Sequence, residues 1–197
     1  MNFSKQLNLA NAFLLIACVA CSDDDEYSAP ITPPAAPAVS IANIPGHGQI
    51  LVTDEGFSLY MFGFDVTGDA NCNDGCAAAW PPYFKEELTL SDDLNASNFS
   101  EITRPDGTKQ LTYKGWPLYE FANDANPGDV NGDGLGPIWH VAKPDYTVMI
   151  GAVSVEDVTE IFLADPDGNT LYNFLQDGSA ESNCSGGCVT VWPLFQA

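Results

Sequence analysis

The chain has 197 residues, 45% of them hydrophobic, and carries 27 acidic side chains against 6 basic ones, for a formal net charge of -21. That apolar share supplies a core and excludes wholesale disorder, and the length holds one domain or two very small ones. So acidic a surface repels phosphate backbones and anionic headgroups, which excludes nucleic acid as a partner and direct docking on an anionic bilayer.

The first segment reads as a targeting signal. Lys5 gives a minimal positive start, and the apolar stretch from Leu9 to Ala20 is interrupted only by Asn11. About 20 apolar residues are needed to span a bilayer, so this stretch fits the core of a signal peptide instead. It resembles a bacterial lipoprotein signal, in which a cysteine after small residues is lipidated and becomes the mature N-terminus. Cys21 is the expected lipidation site, because cleavage before it leaves an even number of other cysteines for an oxidising compartment. Cys18, which follows Leu15-Ile16-Ala17, is the alternative. The reading is therefore a signal peptide over residues 1–20 and an acidic, Pro-rich tether over 21–40. In the tether, Asp23 to Glu26 precede Pro30, Pro33, Pro34 and Pro37. Prolines among small residues keep such a tether extended. Acidic residues just after the lipidated cysteine resemble the surface-export signal of Bacteroidetes lipoproteins.

Residues 41–197 read as a single repeat domain. Short runs such as "QILVTD", "KQLTYKG" and "EIFLAD" alternate or are rich in β-branched residues and end in Gly, Pro or Asp, so they predict strands. "DEG" and "DPDG" supply turns after two of them, and "RPDG" supplies the turn of the middle copy. "AAAW" and "SVEDVTE" are the candidate helical turns, and "SDDLNASNFS" is an irregular loop. A Leu-Tyr-x-Phe-x-x-Asp element occurs three times: Tyr60, Phe62 and Asp65; Tyr119, Phe121 and Asp124; Tyr172, Phe174 and Asp177. The first and last copies continue into Asn-Cys-x-x-x-Cys and then Trp-Pro, while the middle copy carries the loop "PGDVNGDGLGPIWH" instead. The order is A, B, A′, with unit A about 46–100, unit B about 101–146 and unit A′ about 147–197, and a second B unit would follow A′. The predicted fold class is mainly β, with short antiparallel strands and hairpins in internal pseudo-repeats and one or two short helical turns.

These copies together resemble a family of predicted bacterial lipoproteins, the secreted repeat of unknown function with a Tyr-x-aromatic-x-x-Asp motif. The resemblance implies lipid anchoring and repetition, and it implies no established activity.

Within each motif, Tyr and Phe share one strand face, and Glu120 and Asn173 stand where the first copy has Met61. The Tyr/Phe face is thus expected to be buried, with the Asp beyond the strand accepting backbone N–H groups of a turn. Trp80 and Trp192 are expected in the core beside the cysteines. The motif reads as a structural brick, with an aromatic ligand platform as the competing reading. Cys72, Cys76, Cys184 and Cys188 suit local disulfides across Gly-containing spacers. Pairing between units is open, as is a thiolate metal site with His47 or His140. Asp129, Asn131 and Asp133 before Gly134 match the first half of a calcium loop, but His140 stands where its closing acid should be. No cofactor is expected, with calcium the one candidate.

No motif places a nucleophile beside a base, so the residues point away from catalysis. The expected role is a lipid-anchored binding or structural module at the bacterial outer membrane. Its partners would be the membrane, through the lipid, and a protein of an envelope complex. The alternative is a metal-binding or redox accessory protein.

Overall fold

The structure, a computed structural model, describes residues 35–179 and 181–196. The signal segment, Cys18, Cys21 and most of the tether lie outside the described residues. Each repeat opens with an antiparallel hairpin: β1 (Val39–Ile44) with β2 (Gly48–Thr53), β4 (Phe99–Thr103) with β5 (Lys109–Tyr113), and β8 (Met149–Val155) with β9 (Val158–Ala164). The chain then reverses and delivers the Leu-Tyr-x-Phe segment beside the second strand. Leu59 N–H donates to Leu51 at 3.0 Å, Leu118 to Leu111 at 2.9 Å and Leu171 to Leu163 at 2.8 Å.

In the first copy this segment is β3 (Tyr60–Phe62), and it pairs antiparallel with β7 (Trp139–Val141) of the middle copy. In the middle copy, β6 (Trp116–Pro117) adds to β5 and leads into the motif. Helices are brief: α1 (Gly75–Ala79) and α2 (Gly187–Val191) each follow the first cysteine of their copy. The mainly β class, the repetition and the short antiparallel strands are as the sequence predicts.

Two turns differ from expectation. "RPDG" closes the β4–β5 hairpin, with Arg104 N–H bonded to Thr108 O at 2.8 Å. The reversal before Leu118 is made by Lys114 and Gly115, both at positive φ (50° and 84°), the pattern of a two-residue hairpin turn. "SVEDVTE" is not helical. Glu156 and Asp157 take φ of 49° and 64° and turn β8 into β9. β-branched residues on both sides of that turn favour strand over helix.

Alternation along the strands divides the core in two. Leu51, Leu59, Met61, Leu111 and Leu118 fall in one cluster with Trp116 and Met149. Ile50, Val52, Tyr60, Phe62, Tyr119 and Phe121 fall in the other with Trp80 and Trp139. Both faces of β3 are therefore buried, Met61 included, rather than the Tyr/Phe face alone.

Candidate functional site

The motifs of the first two copies interlock around a local two-fold. Tyr60 and Tyr119 exchange backbone hydrogen bonds, N–H to O at 2.8 and 2.9 Å. Their hydroxyls then cross between copies: Tyr60 donates to Asp124 Oδ2 at 2.6 Å, and Tyr119 donates to Asp65 Oδ2 at 2.7 Å. The other oxygen of each carboxylate holds the following loop, Asp65 accepting from Asn71 N–H at 2.7 Å and Asp124 from Asn131 N–H at 2.9 Å. The expectation that each Asp caps a turn holds at both positions. A buried tyrosine hydroxyl needs a partner, but the crossing between copies is not legible in the sequence: the chain leaves β3 in a short 3-10 turn at Gly63–Asp65, and no spacing says which copy's Asp lies opposite.

The aromatic rings repeat the exchange. Trp80 stacks on Phe121 and Trp139 stacks on Phe62, both with centroids 4.2 Å apart. Each Trp also meets the Tyr of its own copy edge-on, at 5.4 Å for Trp80 and 5.2 Å for Trp139. The two indoles lie parallel across the axis at 3.7 Å. The segment after each Trp runs along the other copy's motif. Tyr83 N–H bonds Leu118 O at 2.9 Å, and Ala142 N–H bonds Leu59 O at 2.7 Å. Each copy thus completes the other's sheet. Trp139 in the middle copy is the structural equivalent of Trp80, although no cysteines precede it.

Burial sets the electrostatics here. Desolvation pushes the Asp65 carboxyl up to about 7, offset in part by Asn71 N–H and the Tyr119 hydroxyl. The same cause raises Asp124. Tyr60 and Tyr119 are raised well above the usual phenol range, first by burial and then by the carboxylate each one faces. Arg104, itself buried, lies close enough to favour the charged form of Asp65, and donates to Cys72 O and Gln110 Oε1, both at 2.5 Å. Asp65, Tyr60 and Tyr119 are wholly buried and Asp124 nearly so, and each is hydrogen-bonded to another of the set.

The third copy has the same internal parts and no interlock. Asp177 Oδ1 accepts from Asn183 N–H at 2.6 Å, and Tyr172 meets Trp192 edge-on at 5.3 Å. Yet Tyr172 is 73% exposed, Leu175 94% and Trp192 53%, against 6% for Trp80. The expected burial of Tyr172, Phe174 and Trp192 therefore fails, for want of an opposing copy among the described residues.

The remaining candidates are dispersed. Cys72–Cys76 and Cys184–Cys188 are closed as local disulfides. Asp129 Oδ2 accepts from Ala125 and Asn126 N–H at 3.0 and 2.9 Å, and Asp133 Oδ1 accepts from Val141 N–H at 2.9 Å. His47 Nδ1 sits 3.3 Å from Asp133 Oδ2. His140 Nε2 is buried without a partner and lines a cavity of about 60 Å³ with Met61 and Met149. No group of three or more His, Cys, Asp or Glu placed to hold a metal ion occurs among the described residues. An open apolar groove of about 700 Å³ lies between Phe62, Phe64 and Val66 on one side and Ala152, Val153 and Phe162 on the other, and no titratable side chain lines it.

No helix among the described residues is long and apolar enough to cross a membrane. Neither curated proteins nor solved structures yield a match to the chain. Residues 44–83, 100–143 and 162–196 each match one family pattern, so the three units are its repeats, and the chain belongs to the family described as a secreted repeat of unknown function.

Proposed function

We propose that the protein is a lipid-anchored module of the bacterial outer membrane, tethered through Cys21, that acts by binding within an envelope assembly rather than by catalysis. The observation that carries this reading is the contrast between copies. The polar groups of the first two are consumed in the interlock, while the third offers Tyr172, Phe174, Leu175 and Trp192 to contact. Contiguous exposed apolar side chains mark interaction sites on secreted proteins. The acidic coat is suited to keeping such a molecule soluble on its tether.

Calcium at Asp129, Asn131 and Asp133 finds less support, because Asp129 and Asp133 already accept backbone N–H groups. It has its own test: a rise in melting temperature on adding calcium, abolished by Asp133→Ala, would favour it. Thiolate metal binding is tested by elemental analysis and thiol counting on the purified protein. Metal at stoichiometric level with free thiols would overturn the binding-module reading.

Anchoring is tested by labelling cells with radioactive palmitate. Label in the parent and none in Cys21→Ser is the expected outcome. Label that survives Cys21→Ser and disappears in Cys18→Ser moves the anchor to Cys18. No label in the parent removes the anchor.

A further inference from the structure

We infer that the third repeat is a self-complementary dimerisation face, closed by the third repeat of a second copy of this chain across a two-fold axis. The inference rests on reading the third repeat as a contact surface and is independent of lipid anchoring.

The template is the interlock inside the chain. Around its local two-fold the paired positions hold identical residues: Tyr60 with Tyr119, Phe62 with Phe121, Asp65 with Asp124, Asn71 with Asn131, Trp80 with Trp139. Each copy is at once donor and acceptor, so one surface that carries the full set complements itself, as an isologous contact requires. The third repeat carries that set as Tyr172, Phe174, Asp177, Asn183 and Trp192.

It also holds the set in the engaged geometry. The Asp177 cap on Asn183 has its equivalents at Asp65 and Asp124, and Asn183 Nδ2 reaches back to Gln176 O as Asn71 Nδ2 reaches Phe64 O. Trp192 N–H bonds Cys188 O at 2.8 Å, as Trp80 N–H bonds Cys76 O at 2.9 Å. The Tyr172–Trp192 pair has an interplanar angle of 72°, against 76° for Tyr60–Trp80. The face is therefore preorganised, which lowers the ordering cost of association.

What is missing is what a partner copy supplies. Tyr60 and Tyr119 exchange backbone bonds, and the segments after Trp80 and Trp139 run along the opposite motif, whereas Tyr172 and Phe195 make no such backbone bond among the described residues. Leu51 is wholly buried, while its equivalent Leu163 is half exposed. In the dimer, Tyr172 of each copy donates to Asp177 of the other, Trp192 stacks on the other's Phe174, and Phe195 N–H bonds the other's Leu171 O.

Charge opposes this pairing. From Glu160 onward the chain carries Asp165, Asp167, Asp177 and Glu181 and neither Lys nor Arg. Apolar burial has to overcome the repulsion of like faces, so added salt strengthens the dimer by screening. This dependence is opposite in sign to that of an interface built on ion pairs.

Sedimentation equilibrium on the purified full chain, in density-matched detergent and over about 1 to 200 µM, tests the inference. The expected result is a reversible monomer–dimer equilibrium that tightens as sodium chloride is raised. The double substitution Tyr172→Ala, Trp192→Ala is expected to weaken it by about 100-fold. Both side chains are exposed in the monomer, so an unchanged melting temperature at low concentration shows that the interlocked repeats still fold. A chain that stays monomeric at every concentration and salt level overturns the inference. So does a dimer that survives the double substitution, or one that dissociates as salt is added. Palmitate labelling is indifferent to all of these results, so failure of the dimer and failure of the anchored-module reading are told apart.

Discussion

At the scale of single residues, the same tyrosine does different work in different copies. Tyr119→Phe removes the hydroxyl bonded to Asp65 Oδ2 and leaves a buried carboxylate oxygen unpaired, a loss of about 1–3 kcal/mol. Tyr172→Phe removes a hydroxyl on an exposed ring, and the expected change is within about 0.5 kcal/mol. Chemical denaturation at a concentration that keeps the chain monomeric checks the pair, and equal losses would contradict the assignment of roles. Asp65 also ties stability to pH. Its carboxyl rises from 3.8 unfolded to about 7 folded, so folding favours the protonated form. The associated stability is complete below the unfolded value and is lost as pH climbs through the folded one. Asp124 and Glu120 are raised too and add in the same direction. The melting temperature should therefore rise as pH is lowered from 8 to 5. Asp65→Asn, which can still accept from Asn71 N–H and donate to Tyr119, should flatten the slope by an amount on the order of a few kcal/mol. A slope that is unchanged in Asp65→Asn would remove this residue as its source.

At the scale of elements, the loop that distinguishes the middle copy is a packing device. A Cβ added at Gly132 would lie 2.7 Å from Trp80 Cη2 and 2.8 Å from Tyr60 Cε1. Trp80 is held by stacking on Phe121 and Trp139, and Tyr60 by edge-on ring contacts and its bond to Asp124, so neither can yield, and Gly132→Ala should cost about 1–3 kcal/mol by overpacking. Calorimetry on the variant reads this directly, and an unshifted transition would mean the rings are looser than their stacking implies. Strands of this kind are legible in sequence. β2, β5 and β9 coincide with "QILVTD", "KQLTYKG" and "EIFLAD", because short runs of β-branched and apolar residues closed by Gly or Asp mark a strand even where consecutive residues are buried, as in β2 and β5, or mostly exposed, as in β9. Turns were less legible. "RPDG" and the Lys114–Gly115 pair both carry turn chemistry, and nothing local says which one precedes the motif. "SVEDVTE" is ambiguous in sequence because acidic residues in mid-segment suit a helix start as well as the hairpin tip they form between β8 and β9. The burial of Met61 is hidden for a further reason: the copies differ at that position, and the cluster that buries it draws on other repeats, Leu111 and Met149 among them.

At the scale of the whole molecule, repetition was legible and reciprocity was not. Equal motifs announce equal local structure. Whether a motif is buried, though, depends on what faces it, and for the third copy no spacing within the motif encodes that. The third repeat joins the rest through β8, where Met149 and Ala152 are buried. Its turn also presses on the first two repeats, with Pro166 O accepting from Trp116 Nε1 at 3.0 Å. At Gly168 a Cβ would stand 2.2 Å from Val66 O. Beyond that turn, the Tyr172 to Phe195 segment relies on its own contacts, and few buried apolar neighbours mean low local stability. Hydrogen exchange should show this as a step along the chain. In dilute monomer, amides of the interlocked segments such as Tyr60, Tyr119 and Ala142 should exchange only through global opening, whereas Tyr172, Phe174 and Phe195 should exchange orders of magnitude faster. Raising concentration and salt together should slow Tyr172 and Phe195 selectively, since those N–H groups gain partners only when two third repeats meet. Slow exchange at Tyr172 in the dilute chain would mean that its face is already covered, and the contrast between copies would lose its basis.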